Sequence, residues 1–151
     1  MGGFTEAIEE FAVERLVRSG VSVETRGPGF LDITDAAARF LRAASASDGL
    51  LTVFVRHTSA SLAIQENADP DVLRDLATAL DRLAPRDHPW RHGSEGPDDM
   101  PAHVRAMLTG ASLAVPVSGG RLGLGTWQGL YLVEHRDRPH RRRVDFVFVG
   151  R

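Results

Sequence analysis

The chain contains no cysteine and no lysine; all 18 of its basic side chains are arginine. Without cysteine, disulfides and thiolate metal sites are excluded, so any metal must be held by His, Asp or Glu. Without lysine, Schiff-base chemistry and lysine-dependent phosphate loops are excluded as well. No run of about 18 uninterrupted apolar residues occurs, and no membrane span is expected. There is no basic excess either: the formal net charge is -2, which argues against a nucleic-acid partner. The acidic N-terminus has no signal-peptide pattern, which makes the cytoplasm the expected compartment.

What the chain does have is an ordinary globular composition. At 151 residues it has the size of one domain, enough to bury about 70% of its unfolded surface. Phe4, Ile8, Phe11 and Leu16 recur at roughly helical spacing among glutamates, which suggests a helix over 4–16; a strand over Phe11–Val17 is the competing reading. The helix is read as ending near Ser19-Gly20. Val21–Thr25 alternates like a strand, Gly27-Pro28-Gly29 makes a turn, and Phe30–Ile33 is a second short strand. Thr34 is placed to cap a helix whose Ala37, Phe40, Leu41 and Ala44 share a face. Leu50–Val55 is almost continuously apolar, the pattern of a strand buried on both sides.

Beyond it lies the dense polar turn of residues 56–69, and then a helix with Asp69 as N-cap, Pro70 in the first turn and a Leu73, Leu76, Leu80, Leu83 stripe. Residues 85–100 have no periodicity, and so long a loop in a compact domain tends to be functional. A short helix with Pro101 near its first turn follows. Strands are then expected over Ser112–Val117, Arg121–Leu124, Gln128–His135 and Arg143–Val149, with a hairpin turn at Ser118-Gly119-Gly120. Strand–helix units followed by a run of strands indicate an α+β fold, mostly antiparallel, with two main helices and a short third.

Several residue groups carry candidate chemistry, each with a plainer reading beside it. His57 stands where the apolar strand opens into the turn; it is suited to ligating metal or moving protons, or simply to satisfying backbone groups at a strand end. Glu66 and Asn67 are not needed by the following helix, whereas capping already accounts for Asp69. His88, His92 and His103 cluster around the long loop and with His57 can supply a three-histidine site, or else lie solvated on a polar loop. Gly123–Gly129 is glycine-dense but matches no dinucleotide or phosphate loop; Trp127 within it can stack on a flat ligand or serve as core. Glu134 shares a strand face with Leu130 and Leu132, so its carboxylate points to an apolar side and needs a partner. The arginines between 136 and 143 can meet phosphate or lie in a solvated loop.

The run His57-Thr58-Ser59-Ala60-Ser61-Leu62, together with Gln65-Glu66-Asn67-Ala68-Asp69-Pro70-Asp71, resembles the signature of the YjbQ-like family. Further matches are Glu95–His103, Gly120-Arg121-Leu122, Leu124–Gly129, Asp32-Ile33-Thr34 and the arginines before Val144, in order across residues 20–151; the resemblance thus implies a single domain over 20–151, with residues 1–19 as a helical N-terminal extension. The resemblance implies a domain of sandwich-like sheets assembled as a homotrimer, with a polar pocket that takes a divalent metal. Carried over position by position, it implies His57, His92 and His103 as metal ligands. Glu66, Asn67, Asp69, Gln128 and Glu134 would then be catalytic, and Ser59, Arg121 and Trp127 would contact a small-molecule substrate.

Family members are often labelled secondary thiamine-phosphate synthases. That implies an enzyme joining a hydroxymethyl-pyrimidine diphosphate to a thiazole phosphate, with Mg²⁺ on the leaving diphosphate. Histidine ligands suit Zn²⁺ better than Mg²⁺, which favours a metal-dependent hydrolase or lyase as the alternative. A non-catalytic trimer holding a metabolite or a structural metal is the third reading.

Overall fold

The computed structural model describes residues 6–151. In chain order the first elements are β1 (Arg15–Glu24), β2 (Gly29–Asp32), α1 (Thr34–Ala43), β3 (Gly49–Val55), β4 (Ala60–Glu66) and α2 (Pro70–Leu83). They are followed by α3 (Asp99–Thr109), β5 (Ser112–Ser118), β6 (Arg121–Leu122), β7 (Gln128–Glu134) and β8 (Arg141–Gly150). A five-stranded sheet has the order β1-β8-β3-β5-β6 and a three-stranded sheet the order β2-β7-β4, with every pairing antiparallel. The fold is α+β, as expected. No helix among the described residues is long and apolar enough to cross a membrane.

The core lies between the sheets. Leu51, Val53 and Val55 of β3 and Val144, Phe146 and Phe148 of β8 face Leu62 of β4 and Leu130 and Leu132 of β7. Period-two alternation in each strand puts all of these on one side. Helix α1 closes the flank with Ala37, Phe40 and Leu41, and Phe40 stacks on Phe146 at 5.5 Å between ring centres. On the other side of the small sheet, Thr109 of α3 reaches Ser61 of β4, so α3 covers the face opposite the core. Among the described residues no helix covers the outer face of the large sheet, where Leu16, Leu50 and Phe54 are exposed.

The N-terminal helix is not formed. Phe4 lies outside the described residues, and residues 6–14 take neither helix nor strand. Ile8 is 95% exposed, so the helical spacing has no apolar surface to pack against. Strand begins at Arg15 instead, because residues 15–24 pair one-to-one with β8 and set Val17, Val21 and Val23 against the core. That strand runs through residue 19, so extension and domain are continuous in one element. Thr34 does not cap α1 either: Ile33 occupies the N-cap, and the Thr34 hydroxyl accepts from the Leu130 amide at 2.9 Å, tying the helix start to β7. Nor is β3 buried on both sides, for Leu50 and Phe54 are exposed.

Helix α2 follows its sequence signals. Asp69 is the N-cap, its Oδ1 accepting from the Asp71 amide at 2.9 Å, and Pro70 opens the first turn. Asp69→Ala should therefore cost about 1 kcal/mol of stability, readable as a lower urea midpoint at unchanged slope. An unchanged midpoint would show that the cap carries nothing.

Candidate metal centre

The functional candidates divide between the two ends of β4. Seven residues of strand span about 20 Å, so Ala60 and Glu66 mark places well apart.

At the Ala60 end, Asp99 and His103 stand one helical turn apart on α3, and the loop before α3 brings in His92. His92 Nε2 lies 2.6 Å from Asp99 Oδ2, and His103 Nε2 lies 3.4 Å from the same oxygen. These three side chains form a group able to hold a metal ion. The ring orientations follow from their other partners. His103 Nδ1 is 2.9 Å from the Thr58 carbonyl oxygen, and a carbonyl only accepts, so Nδ1 carries the hydrogen. In the neutral ring Nε2 is then a bare lone pair aimed at a carboxylate oxygen. Either a proton on Nε2 or a metal ion between the two groups satisfies this pair.

Asp99 is itself positioned. Its Oδ1 accepts from Arg136 Nη1, while Arg136 also donates to Asp98 Oδ2 and to the Glu95 carbonyl, each at 2.9 Å. One half-buried guanidinium thus ties the loop and turns Oδ2 toward the histidines. Burial alone would raise the Asp99 carboxyl; the His92 hydrogen bond and the Arg136 charge outweigh it and hold the group below its ordinary range. The loop is pinned elsewhere too, by the bidentate Arg86–Asp137 pair and by Trp90 Nε1 on the Pro85 carbonyl.

His57 does not join this group. Its Nε2 accepts the Arg143 amide at 2.8 Å, which uses the lone pair a metal would need. Burial and then the Arg142 charge lower its pKa. Among the described residues, the group that comes together is His92, Asp99 and His103, and His57 of the expected three-histidine set stands apart from it. The missing signal was Asp99 and His103 four apart, which puts both on one helix face once α3 is seen to start at Asp99.

Glu134 is not free to act as a base. Fully buried, it receives Arg142 Nε at 2.7 Å and Nη2 at 2.5 Å, Thr25 Oγ1 at 2.8 Å, and the His135 and Arg136 amides. Burial would raise its pKa, but Arg142 and these donors hold it below the usual carboxylate range. Ser59 belongs to the same clamp, its hydroxyl and carbonyl both accepting from Arg142.

The other expected residues sit at the far end. The Asn67 amide bonds the Trp127 carbonyl at 3.0 Å, Gln128 Oε1 accepts from the Gly125 amide at 2.8 Å, and Glu66 Oε1 receives the Asp69 amide at 3.3 Å. Trp127 is 65% exposed, neither core nor stacked on anything described. Arg121 lies on β6, at the far edge of the large sheet. Within one chain the expected single pocket is thus two separate places.

Sequence reading missed the buried His135. Its Nε2 is 2.7 Å from the Ser61 hydroxyl, and burial together with the Arg105 charge lowers its pKa to about 4. The unfolded histidine takes up a proton near pH 6.5, whereas the folded one resists until about pH 4. Stability is therefore full above pH 6.5 and declines as the pH falls toward 4, by about 3 kcal/mol in total. Urea titrations at pH 7.5 and 4.5, with chelator present, should show this loss, and His135→Gln should flatten it. An equal acid loss in both proteins would assign the decline elsewhere.

Comparison with known proteins agrees with the motifs. The sequence model of the UPF0047 protein YjbQ-like family matches residues 19–151. The UPF0047 protein sll1880 of Synechocystis is 53% identical over 123 residues, 81% of this chain and 84% of that one. YjbQ of Escherichia coli O157:H7 is 43% identical over 102 residues, 68% and 74% of the two chains. Among solved structures, a YjbQ/UPF0047 protein of Clostridium acetobutylicum superposes with a TM-score of 0.80 at 39% identity, covering 87% of this chain and 98% of its own. A hypothetical protein of Aeropyrum pernix K1 gives 0.82 at 34% identity, covering 89% and 99%. Motif order, sheet arrangement and these matches lead to one conclusion: the chain belongs to the UPF0047, YjbQ-like family.

Proposed function

We propose that the protein is a metal-dependent enzyme acting on a small molecule, with His92, Asp99 and His103 as the ligands. The observation that carries this is the convergence of the three ligand atoms, with His103 Nδ1 fixed on the Thr58 carbonyl so that its Nε2 faces the carboxylate that His92 also faces. Two imidazoles and one carboxylate suit Zn²⁺ or another transition ion better than Mg²⁺, which prefers an all-oxygen shell. Such an ion supplies Lewis acidity and lowers the pKa of water, the needs of a hydrolase or lyase. The chain's part is to hold the ligands: Thr58 sets the His103 tautomer, Arg136 turns Asp99, and the pinned loop delivers His92.

Thiamine-phosphate synthesis is the second reading. It draws support from a groove of about 400 Å³ lined by Arg18, Arg56 and Arg143, close along the chain to Thr58, where three guanidinium groups face the one carboxylate of Asp145 and leave positive charge for a phosphate group. Titration calorimetry on chelator-treated protein tests the first reading: Zn²⁺ or Co²⁺ should bind with a stoichiometry near one per chain, and Mg²⁺ should give little heat. No saturable Zn²⁺ or Co²⁺ binding would sink it. For the synthase reading, thiamine phosphate formation should fall in His103→Ala, and a rate unaffected by that change would detach the activity from this site.

A further inference from the structure

The helix-covered side of the small sheet holds a cavity that the metal reading does not use. Side chains alternate along β7, so Val133 and His135 point toward α2 and α3 while Leu132 and Glu134 point the other way. Between sheet and helices lies a space of about 90 Å³, lined in part by Phe30, Leu80, Asp81, Arg105 and His135. One water needs about 10–15 Å³, so there is room for a ligand of several heavy atoms.

Two nitrogens of this wall lack partners. Arg105 is 4% exposed; its Nη2 donates to the Asp81 carboxylate at 2.9 Å and to the Ala84 carbonyl at 3.2 Å. Its Nε is buried and, among the described residues, donates to nothing. Buried donors are normally satisfied, by the protein or by something bound. The second nitrogen is His135 Nδ1. The Thr109 hydroxyl has one hydrogen and lies 2.7 Å from the Arg105 carbonyl, which can only accept. Ser61 then donates to Thr109 across 2.5 Å, and His135 Nε2 donates to Ser61 across 2.7 Å. Only this order gives every contact in the chain a hydrogen. It leaves Nδ1 of the neutral ring as an acceptor, and no donor bonds it among the described residues.

The cavity therefore offers one charged donor and one acceptor on a wall otherwise largely apolar. A carboxyl group with its proton matches both: one oxygen accepts from Arg105 Nε, and the other donates to Nδ1. A bare anion would meet the Nδ1 lone pair, and a cation would meet the guanidinium. We propose that this cavity binds a short monocarboxylic acid, held between Arg105 Nε and His135 Nδ1 with its alkyl end on Phe30 and Leu80. The acid arrives as carboxylate and takes up one proton from solvent, shared with the imidazole. The charged groups around that proton are Arg105 on α3, Asp81 on α2, and the Glu134–Arg142 pair of β7 and β8; β2 and β4 bring none. In the empty cavity the Arg105 charge opposes a proton on His135, and a carboxylate between the two removes that opposition. The inference stands apart from the metal reading, whose ligands it does not share.

The test follows the His135 ring of the full chain by NMR during titration with acetate, with chloride at equal ionic strength as control. Acetate should move the ring signals saturably and raise the pH at which they titrate by at least about one unit, while chloride should do neither. Apparent affinity should weaken about 10-fold between pH 5.5 and 6.5, since each acetate brings one proton. Asp81→Asn removes the exposed carboxylate beside Arg105 and should tighten acetate binding. Ala77→Phe, at an exposed position of α2 that lines the cavity, should fill it and abolish binding with the circular dichroism kept. If that variant does not fold, Arg105→Lys serves instead: it keeps the charge, loses the Nε donor and should lose acetate. A His135 ring that ignores acetate, an affinity independent of pH, or acetamide binding in place of acetate would overturn the inference, as would full binding in the filled or Arg105→Lys cavity.

Discussion

Asp99→Ala should lower transition-metal affinity by at least about 100-fold, more than any other single change near α3. The carboxylate is the common point of the group: His92 Nε2 at 2.6 Å and His103 Nε2 at 3.4 Å both face its Oδ2. Removing it leaves two imidazoles, too few ligands for a stable site. Arg136→Gln should act one step back. The loop keeps its other ties, but Asp99 is no longer turned by the guanidinium, so a loss of about 10-fold or more in affinity is expected. His57→Ala should leave affinity near that of the parent, because its Nε2 is committed to the Arg143 amide. Competition with a chromophoric chelator measures all three. Equal affinities for Asp99→Ala and the parent, or a collapse in His57→Ala, would return the site to the three-histidine set.

The largest effect on stability is expected from Arg142→Ala. Glu134 has no exposed side-chain surface and Arg142 only 4%, with paired oxygens and nitrogens 2.5 and 2.7 Å apart. Deleting the arginine leaves a buried carboxylate facing Leu130 and Leu132 with hydroxyl and amide donors but no counter-charge. Breaking a buried pair from one side typically costs about 3–5 kcal/mol, a large part of the 5–15 kcal/mol that holds a domain of this size together. The folded Glu134 pKa should rise in the variant, so its stability deficit should shrink toward acid pH. Glu134→Gln in the same background should recover part of the loss, since the neutral amide no longer needs a guanidinium. Guanidinium denaturation at neutral pH checks the set; a cost under about 1 kcal/mol would mean that water or another cation takes Arg142's place.

This pair also shows how sequence and structure share the account. The alternation of Leu130, Leu132 and Glu134 already placed the carboxylate on an apolar face and required a partner. Only the fold identified the partner as Arg142, which holds Glu134 in a buried clamp. Asp69 was legible in full, because a cap acts within two residues of itself. Thr34 was not: its spacing allowed a cap, but β7, 96 residues on, captured the hydroxyl. Residues 6–16 misled for a similar reason. Helical spacing is a local property, while the decision for strand at Arg15 came from β8, which pairs with it in register.

For function, the sequence by itself determined the residue types: histidines, one dense polar turn, no thiolates, and motifs in family order. It also determined the α+β class, through periodicity and turn chemistry that operate over a few residues. The tertiary structure alone decided which of these side chains meet. It brought Thr58 to His103 across 45 residues and Arg136 to Asp99 across 37, kept His57 for the backbone, and set Glu66 at the other end of β4. The reason is physical: a side chain's type and local conformation are written within a turn or a strand, whereas its partners depend on sheet register between distant segments, which no local pattern carries.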